Sequence, residues 1–437
     1  MANLPHKPRF AALLPFLAFV VFYLGLSIWA NDFYKVSMPI AFLVASMVAM
    51  FLNFKEPLSD KIDVYAKGMG DTNIMIMCLI FVLAGIFASV AKAMGAVDAA
   101  VLIARNLIPN NLLVIGMFLV SCFISLAIGT SCGTIAALIP IACGLIEPLG
   151  IAPGLLLGAV IGGAMFGDNL SMISDTTIAA TRTQGVQMRD KFFTNLRIVL
   201  PALIVSLVLY GIMAHNSNPA EQGELGSITG RHILCILPYV LLLVCALCGL
   251  NVMMLLFFGA VLSMVIGIFT SQMDFWSALS AAGAGALGMS ETLLVAILAG
   301  GLMAIIRYNG GIEFLLNAIK KGIRGTRACE AGIMLLVWAI NLFTANNTVA
   351  IVIAGPIAKE LSDNFGCSPK RVASILDTAS CVIQGTLPYG AQLLIAAGLA
   401  KESGLEISAF QLIGSLYYPM ALCLMLLISI AFFRQKR

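Results

Sequence analysis

Long apolar runs recur along this chain, and they limit its fold more than any motif does. Clear examples are 10–30, 36–53, 72–91, 198–214, 233–250, 252–270, 328–344 and 415–433. Each is close to the roughly 17–25 residues that a helix needs to cross a bilayer. In lipid the backbone must pair with itself, so only helices and closed barrels span. The runs are continuous and lack the alternation of a barrel strand. The expected fold is therefore an all-α polytopic membrane protein. Composition agrees: 60% of residues are hydrophobic and only 11% charged, against roughly 25% charged in a soluble domain.

Other classes fall away on the same grounds. The net charge of +4 comes from Lys and Arg in short segments between spans, without the basic stripe that nucleic-acid binding requires. The N-terminus runs straight into an apolar stretch and reads as an uncleaved first span. The 11 Cys are scattered; Cys245 and Cys248 form a CxxC with no second pair, which reads as packing. His6, His215 and His232 stand at span edges, which argues against a buried histidine relay. The sequence holds no Walker loop, dinucleotide fingerprint or HExxH, and no nucleophile–His–acid set, so neither an enzyme nor an ATP-driven pump is expected.

The chain also repeats itself. AKAMGAVDAAV (91–101) aligns with IRYNGGIEFLL (306–316), pairing Lys92 with Arg307, Gly95 with Gly310 and Asp98 with Glu313. Pro140 matches Pro356 and Pro153 matches Pro369, both at an offset of 216. LLPF (13–16) resembles ILPY (236–239), and VLPA (199–202) resembles YYPM (417–420). The halves are 1–216 and 217–437. Charge sets their relative orientation, because cytoplasmic loops carry excess Lys and Arg. Basic loops in the first half are the N-terminus, 54–70 (Lys55, Lys61, Lys67) and 181–197 (Arg182, Arg189, Lys191, Arg197); their counterparts 215–232, 270–289 and 397–411 hold only Arg231 and Lys401. Conversely 147–153 has no basic residue, while 359–371 has Lys359, Lys370 and Arg371. The bias changes sides between halves, as inverted topology requires. It places both termini in the cytoplasm, the linker 215–229 outside, and the protein in the cytoplasmic (inner) membrane. Each half must then cross an odd number of times. About five spans plus a re-entrant hairpin satisfy this, with re-entrant segments at 111–149 and 327–364 and broken helices at 153–184 and 369–402.

Four polar clusters interrupt these helices: GTSCGT (129–134), GDNLSMISDTT (167–177), TANNT (344–348) and IQGTLPYGAQ (383–392). A cation leaving water must recover oxygen ligands. A broken helix frees carbonyls, and Ser, Thr and Asn add side-chain oxygens, an arrangement tolerated only beside protein or a water-filled cavity. An intramembrane carboxylate is a functional candidate by default. Asp168 is the first choice for a cation ligand or coupling proton carrier. Asp175 reads either as a ligand or as the N-cap of a returning half-helix, and Asp377 either as a cation ligand or as a polar partner for a neighbouring helix. Gly154, Gly158 and Gly162, at four-residue spacing, suit close helix contact. The second half is neutral: Asn346, Asn347, Thr348, Gln384, Thr386, Tyr389 and Gln392 offer donors without fixed charge, and half-helix N-termini there could receive a carboxylate.

GTSCGT followed by GDNLSMISDTT resembles the signature of the NhaC-type sodium/proton antiporter family, part of the ion transporter superfamily. The family pattern has Pro where Met172 stands and an aromatic where Cys132 stands. The resemblance implies inverted repeats, each with a re-entrant hairpin and a discontinuous helix. It also implies cation binding at Thr130, Ser131, Thr134, Asp168, Asn169, Ser174, Asp175 and Thr176. NNTVAI and GTLPYGAQ look more like a branch for which amino-acid substrates have been proposed. The expected function is thus sodium/proton antiport, with cation-coupled transport of an amino acid or small carboxylate as the alternative. Expected partners are the lipid bilayer, small ions or a small organic solute, and a second copy in a homodimer. No nucleic acid, resident cofactor or metal is expected beyond the transported Na+ and H+.

Overall fold

A computed structural model of the chain describes residues 7–30, 36–53, 56–107, 109–172, 174–216, 227–247, 250–321 and 323–432. His6, Lys55, Cys248 and most of the linker between the halves lie outside them. The described residues form helices joined by turns, with no β-strand among them. Seven helical stretches among the described residues are long and apolar enough to cross a membrane, so the chain is an all-helical, multi-pass membrane protein. Large apolar side chains such as Val21, Phe51, Phe123 and Phe258 are exposed, which suits a lipid solvent.

In the first half, α1 (Leu14–Ala30), α2 (Met38–Phe51), α3 (Leu58–Met69), α4 (Thr72–Ala93) and α5 (Ala96–Leu107) lead to a hairpin of α6 (Asn110–Ile128) and α7 (Ser131–Leu149). A discontinuous pair follows, α8 (Pro153–Leu170) and α9 (Asp175–Gln184), and then α10 (Met188–Asn216). The second half runs α11 (Gly230–Leu247), α12 (Val252–Phe269), α13 (Phe275–Gly288), α14 (Ser290–Tyr308) and α15 (Gly311–Lys321). Its hairpin is α16 (Thr326–Thr344) and α17 (Asn347–Phe365), and its discontinuous pair is α18 (Pro369–Gln384) and α19 (Ala391–Glu402). The short α20 (Ala409–Ile413) and α21 (Tyr417–Phe432) close the chain.

Three basic segments expected as loops are not simply loops. Segment 54–70 contains α3, and Lys61 is buried, its Nζ donating to Met50 O at 3.0 Å and Leu52 O at 2.6 Å. Those carbonyls close α2, and the last carbonyls of a helix have no partner within it, so a lysine supplies the missing donors. Lys191 of segment 181–197 is buried on α10, and Arg371 of segment 359–371 is buried on α18. Segment 270–289 likewise contains α13. Charge between apolar runs marks an interface with water on average, but individual lysines and arginines turn inward where helix ends or carboxylates need them.

Packing partners are exchanged between the halves. Helix α3 lies against α14 and α13 against α4; α9 lies against α17 and α19 against α7; α10 lies against α18 and α21 against α8. Close approach is built from small residues. A Cβ on Gly163 or Gly167 would strike the α6 backbone, while one on Gly158 would strike Ser415. Ser121 and Ser125 of α6 donate to Val160 O and Ala164 O of α8, both at 2.6 Å. Hydroxyl-to-carbonyl bonds and glycine faces are how helices adhere where lipid removes the hydrophobic driving force.

Candidate cation site where hairpin tips meet helix breaks

At the first tip, α6 ends on Gly129 in the left-handed region (φ 76°), Thr130 is extended and α7 begins at Ser131. At the first break, α8 ends at Leu170 and α9 starts at Asp175, with Ser174 in the N-cap position. Asp168, in the last turn of α8, faces both. One carboxylate oxygen accepts from Ser131 Oγ at 2.6 Å, the other from Ser174 Oγ at 2.6 Å. Ser174 Oγ lies 2.9 Å from Thr176 Oγ1, and all four side chains are buried. Hydroxyl–carboxylate bonds this short are charge-assisted.

The second tip has the same plan in neutral form. Ala345 takes the left-handed position (φ 46°), and Asn346 caps α17, its Oδ1 accepting from Val349 N at 3.0 Å. Asn347 Oδ1 accepts from Thr348 N at 3.1 Å. Gln384, at the end of α18, donates through Nε2 to Ala345 O at 3.0 Å and to Gln392 Oε1 at 2.8 Å. Gln392, in the first turn of α19, donates to Ser131 Oγ at 3.0 Å. One hydrogen-bonded chain therefore runs from the second tip through Gln384, Gln392 and Ser131 to Asp168 and Ser174. Gln384 Oε1 is buried without a hydrogen-bond partner among the described residues.

Other expected residues stand apart from it. Asp175 is exposed at the first position of α9, and the N-cap position belongs to Ser174. Thr134 Oγ1 donates to Thr130 O at 3.0 Å. Thr386 Oγ1 lies 3.0 Å from both Val382 O and Ile383 O. Tyr389 donates to Leu342 O at 2.7 Å, and its ring packs against Phe16, Phe19 and Phe42. Asp377 on α18 is ion-paired with Lys191 on α10 and lies 3.2 Å from Thr177 Oγ1. Asp377 thus faces polar groups on two neighbouring helices.

Sequence reasoning missed Lys191 and Asn195, which join Asp377 and Asn169 behind the first break. Lys191 Nζ also donates to Asn169 O at 2.7 Å and to Thr177 Oγ1 at 2.8 Å. Asn195 Nδ2 donates to Asn169 O at 2.9 Å and Asn169 Oδ1 at 2.8 Å, and Asn195 Oδ1 accepts from Ser374 Oγ at 2.9 Å and Thr378 Oγ1 at 2.7 Å. The available signal was spacing. Ser374, Asp377 and Thr378 share one face of α18, and Lys191 and Asn195 stand four apart on α10.

A cavity of about 590 Å³ reaches the second tip, lined by exposed Lys67, Asp71 and Arg307 and by Thr344, Ala345 and Asn346. A smaller one of about 150 Å³ is lined by Tyr23, Glu291, Lys401 and Ser408. The exposed ion pair of Lys401 and Glu291, 2.7 Å apart, is part of its wall.

The profile of a family described as the Na+/H+ antiporter family matches residues 6–213 and 229–433. The chain is 22% identical over 410 residues to the malate-2H(+)/Na(+)-lactate antiporter of Bacillus subtilis (strain 168), covering 87% of each chain. It is 25% identical over 381 residues to the Na(+)/H(+) antiporter NhaC of the same strain, covering 80% of this chain and 82% of that one. It is 24% identical over 303 residues to the arginine/ornithine antiporter ArcD of Halobacterium salinarum (strain ATCC 700922 / JCM 11081 / NRC-1), covering 62% of each.

Proposed function

The chain belongs to the Na+/H+ antiporter family, which makes it a membrane transporter and not an enzyme, and from that premise we propose that it exchanges sodium for protons at Asp168. The observation that carries this reading is the Asp168 carboxylate itself. It is buried where a hairpin tip meets a helix break, held by Ser131 and Ser174 hydroxyls. An ionised Asp at membrane depth costs about 2.5–3.5 kcal/mol on insertion scales. Either a proton or a sodium ion removes that cost, and one carboxylate cannot hold both, so competition for it yields exchange. Ser131, Ser174 and Thr176 hydroxyls, with carbonyls freed at the breaks, supply the oxygens that replace the ion's hydration. Proteoliposomes loaded with an acid-inside gradient are expected to lose it when sodium is added outside. A wild type inert to sodium between pH 6.5 and 9 would defeat the proposal.

The architecture we infer for this activity is a pair of inverted repeats, 1–216 and 217–437, in the cytoplasmic (inner) membrane with N- and C-termini in the cytoplasm. The exchange of packing partners between halves supports it, as does the exchange of basic loops. Re-entry of both hairpins is supported by their tips ending on interior breaks and not at an exposed end. On this topology the larger cavity opens inward and the smaller outward, the arrangement of an inward-facing transporter.

The larger cavity also favours a second reading, in which the second tip takes a small organic solute. A volume of about 590 Å³ far exceeds the need of a single ion and lies within the range of small-molecule sites. Gln384, whose Nε2 donates to the carbonyl of the cavity-lining Ala345, keeps its Oε1 without a hydrogen-bond partner among the described residues, and two relatives carry organic solutes in their names. Asn346, Asn347, Thr348 and Gln392 would complete the contacts. Thermal-shift screening of amino acids and organic acids, with and without sodium, tests this; no stabilisation by any of them rules it out.

A further inference from the structure

The Lys191 ammonium sits in a setting built like a cation site. It is 1% exposed and paired with an Asp377 side chain that is 0% exposed. Its other two contacts are Asn169 O, at 2.7 Å, and Thr177 Oγ1, at 2.8 Å. A carboxylate, a carbonyl freed next to a helix break and a hydroxyl are the oxygens a dehydrated monovalent cation takes. Here they take the three N–H donors of an ammonium instead. Thr177 in turn donates to Ser171 O at 2.7 Å, fixing the unwound segment between this group and Asp168. The carboxylate on the other side has no such partner. Asp168 receives hydroxyls from Ser131 and Ser174, and no ion pair joins it to a Lys or Arg among the described residues.

Charge counting then separates the two carboxylates. Lys191 and Asp377 cancel, which leaves one net negative charge, on Asp168. We propose that Lys191 is a tethered cation that permanently fills a second sodium-type site at Asp377, so that the protein presents one exchangeable cation site. Removing the Lys191 side chain opens Asp377, Asn169 O and Thr177 to a second monovalent cation. The assignment rests on cation binding at Asp168 for its first site and stands independently for its second. In the helix pairing it makes Lys191 a positioning residue: it touches no transported ion and sets how many the protein holds.

The test is sodium-dependent thermal stability of the purified full chain in detergent, with NaCl against choline chloride. Wild type is expected to show a saturable, single-site rise in Tm that Asp168→Asn abolishes. Lys191→Ala in the Asp168→Asn background is expected to regain a sodium-dependent rise of roughly 2–4 °C, and adding Asp377→Asn removes it again. A double variant as blind to sodium as Asp168→Asn alone overturns the proposal. If Lys191→Ala chains fold only in NaCl, that supports it equally. If they fold in neither salt while Lys191→Met/Asp377→Asn folds in both, the pair is structural and the proposal fails. A wild type blind to sodium with a responsive Lys191→Ala would instead defeat the reading of Asp168 while leaving the tethered cation in place.

Discussion

The two hairpin tips share a backbone plan and differ in chemistry. Each joins two helices through a left-handed residue, Gly129 or Ala345, followed by an extended one, and each meets the end of a broken helix. At the offset of 216, Asp168 corresponds to Gln384 and Asp377 to Ile161. The first tip thus faces a carboxylate held by hydroxyls, while the second faces a primary amide that donates to the tip carbonyl. The backbone plan is shared, and the side chain each tip faces, a carboxylate or a neutral amide, is what differs.

The anchoring of the two hairpins differs as well. Helix α6 holds α8 through glycine faces and the Ser121 and Ser125 hydroxyls. Helix α16 holds α18 through Asn341 Nδ2 on Ser380 O at 2.9 Å and through a buried ion pair of Glu330 with Arg371, 3.3 Å apart. Arg371 also donates to Ser429 Oγ on α21 at 2.7 Å. The first hairpin is therefore set by close packing, the second by charge.

That contrast can be broken most forcefully at Arg371. Arg371→Met leaves Glu330 buried without its partner and is expected to cost about 3–5 kcal/mol of stability, read as a large fall in Tm in detergent. The double variant Glu330→Met/Arg371→Met should recover most of it. An unchanged Tm in the single variant would mean the second hairpin is not anchored by charge.

Gly167 probes the first hairpin. A Cβ there meets Leu126 N and Ser125 on α6, so Gly167→Ala forces α6 and α8 apart at a cost of about 1–3 kcal/mol, typical of overpacking. Because Asp168 is the next residue, sodium-dependent flux should fall further than stability does. Equal stability and flux in variant and wild type would show that the contact yields freely.

The smallest effect separates the tips themselves. A non-glycine residue in the left-handed region costs roughly 1–2 kcal/mol. Ala345→Gly should therefore raise stability by up to about 1 kcal/mol, while Gly129→Ala lowers it by a similar amount. Opposite signs in paired unfolding measurements sharpen the comparison; the same sign for both refutes it.

Much of this was legible in the sequence, for physical reasons that also set its limits. Spans announce themselves because lipid tolerates only long apolar helices, and helix ends announce themselves through Pro153, Pro369, Gly129 and the polar clusters. Asp168 stood out because a carboxylate inside an apolar run needs an explanation. Lys191, Arg371 and Lys61 misled because their charges sit near span ends, where positive residues ordinarily face water; only tertiary packing supplies Asp377, Glu330 and the α2 carbonyls as their partners. Asn195 escaped notice because a lone amide near a helix start carries no signal until Asn169, Ser374 and Thr378 converge on it.

The decisive measurement is sodium-driven proton flux in proteoliposomes carrying Asp168→Asn. If Asp168 is the exchanging carboxylate, the variant folds, keeps wild-type stability within a few degrees, and loses exchange by at least about 100-fold, the scale of roughly 3 kcal/mol. Exchange that persists near the wild-type rate would place the coupling carboxylate elsewhere and contradict the assignment of the first tip.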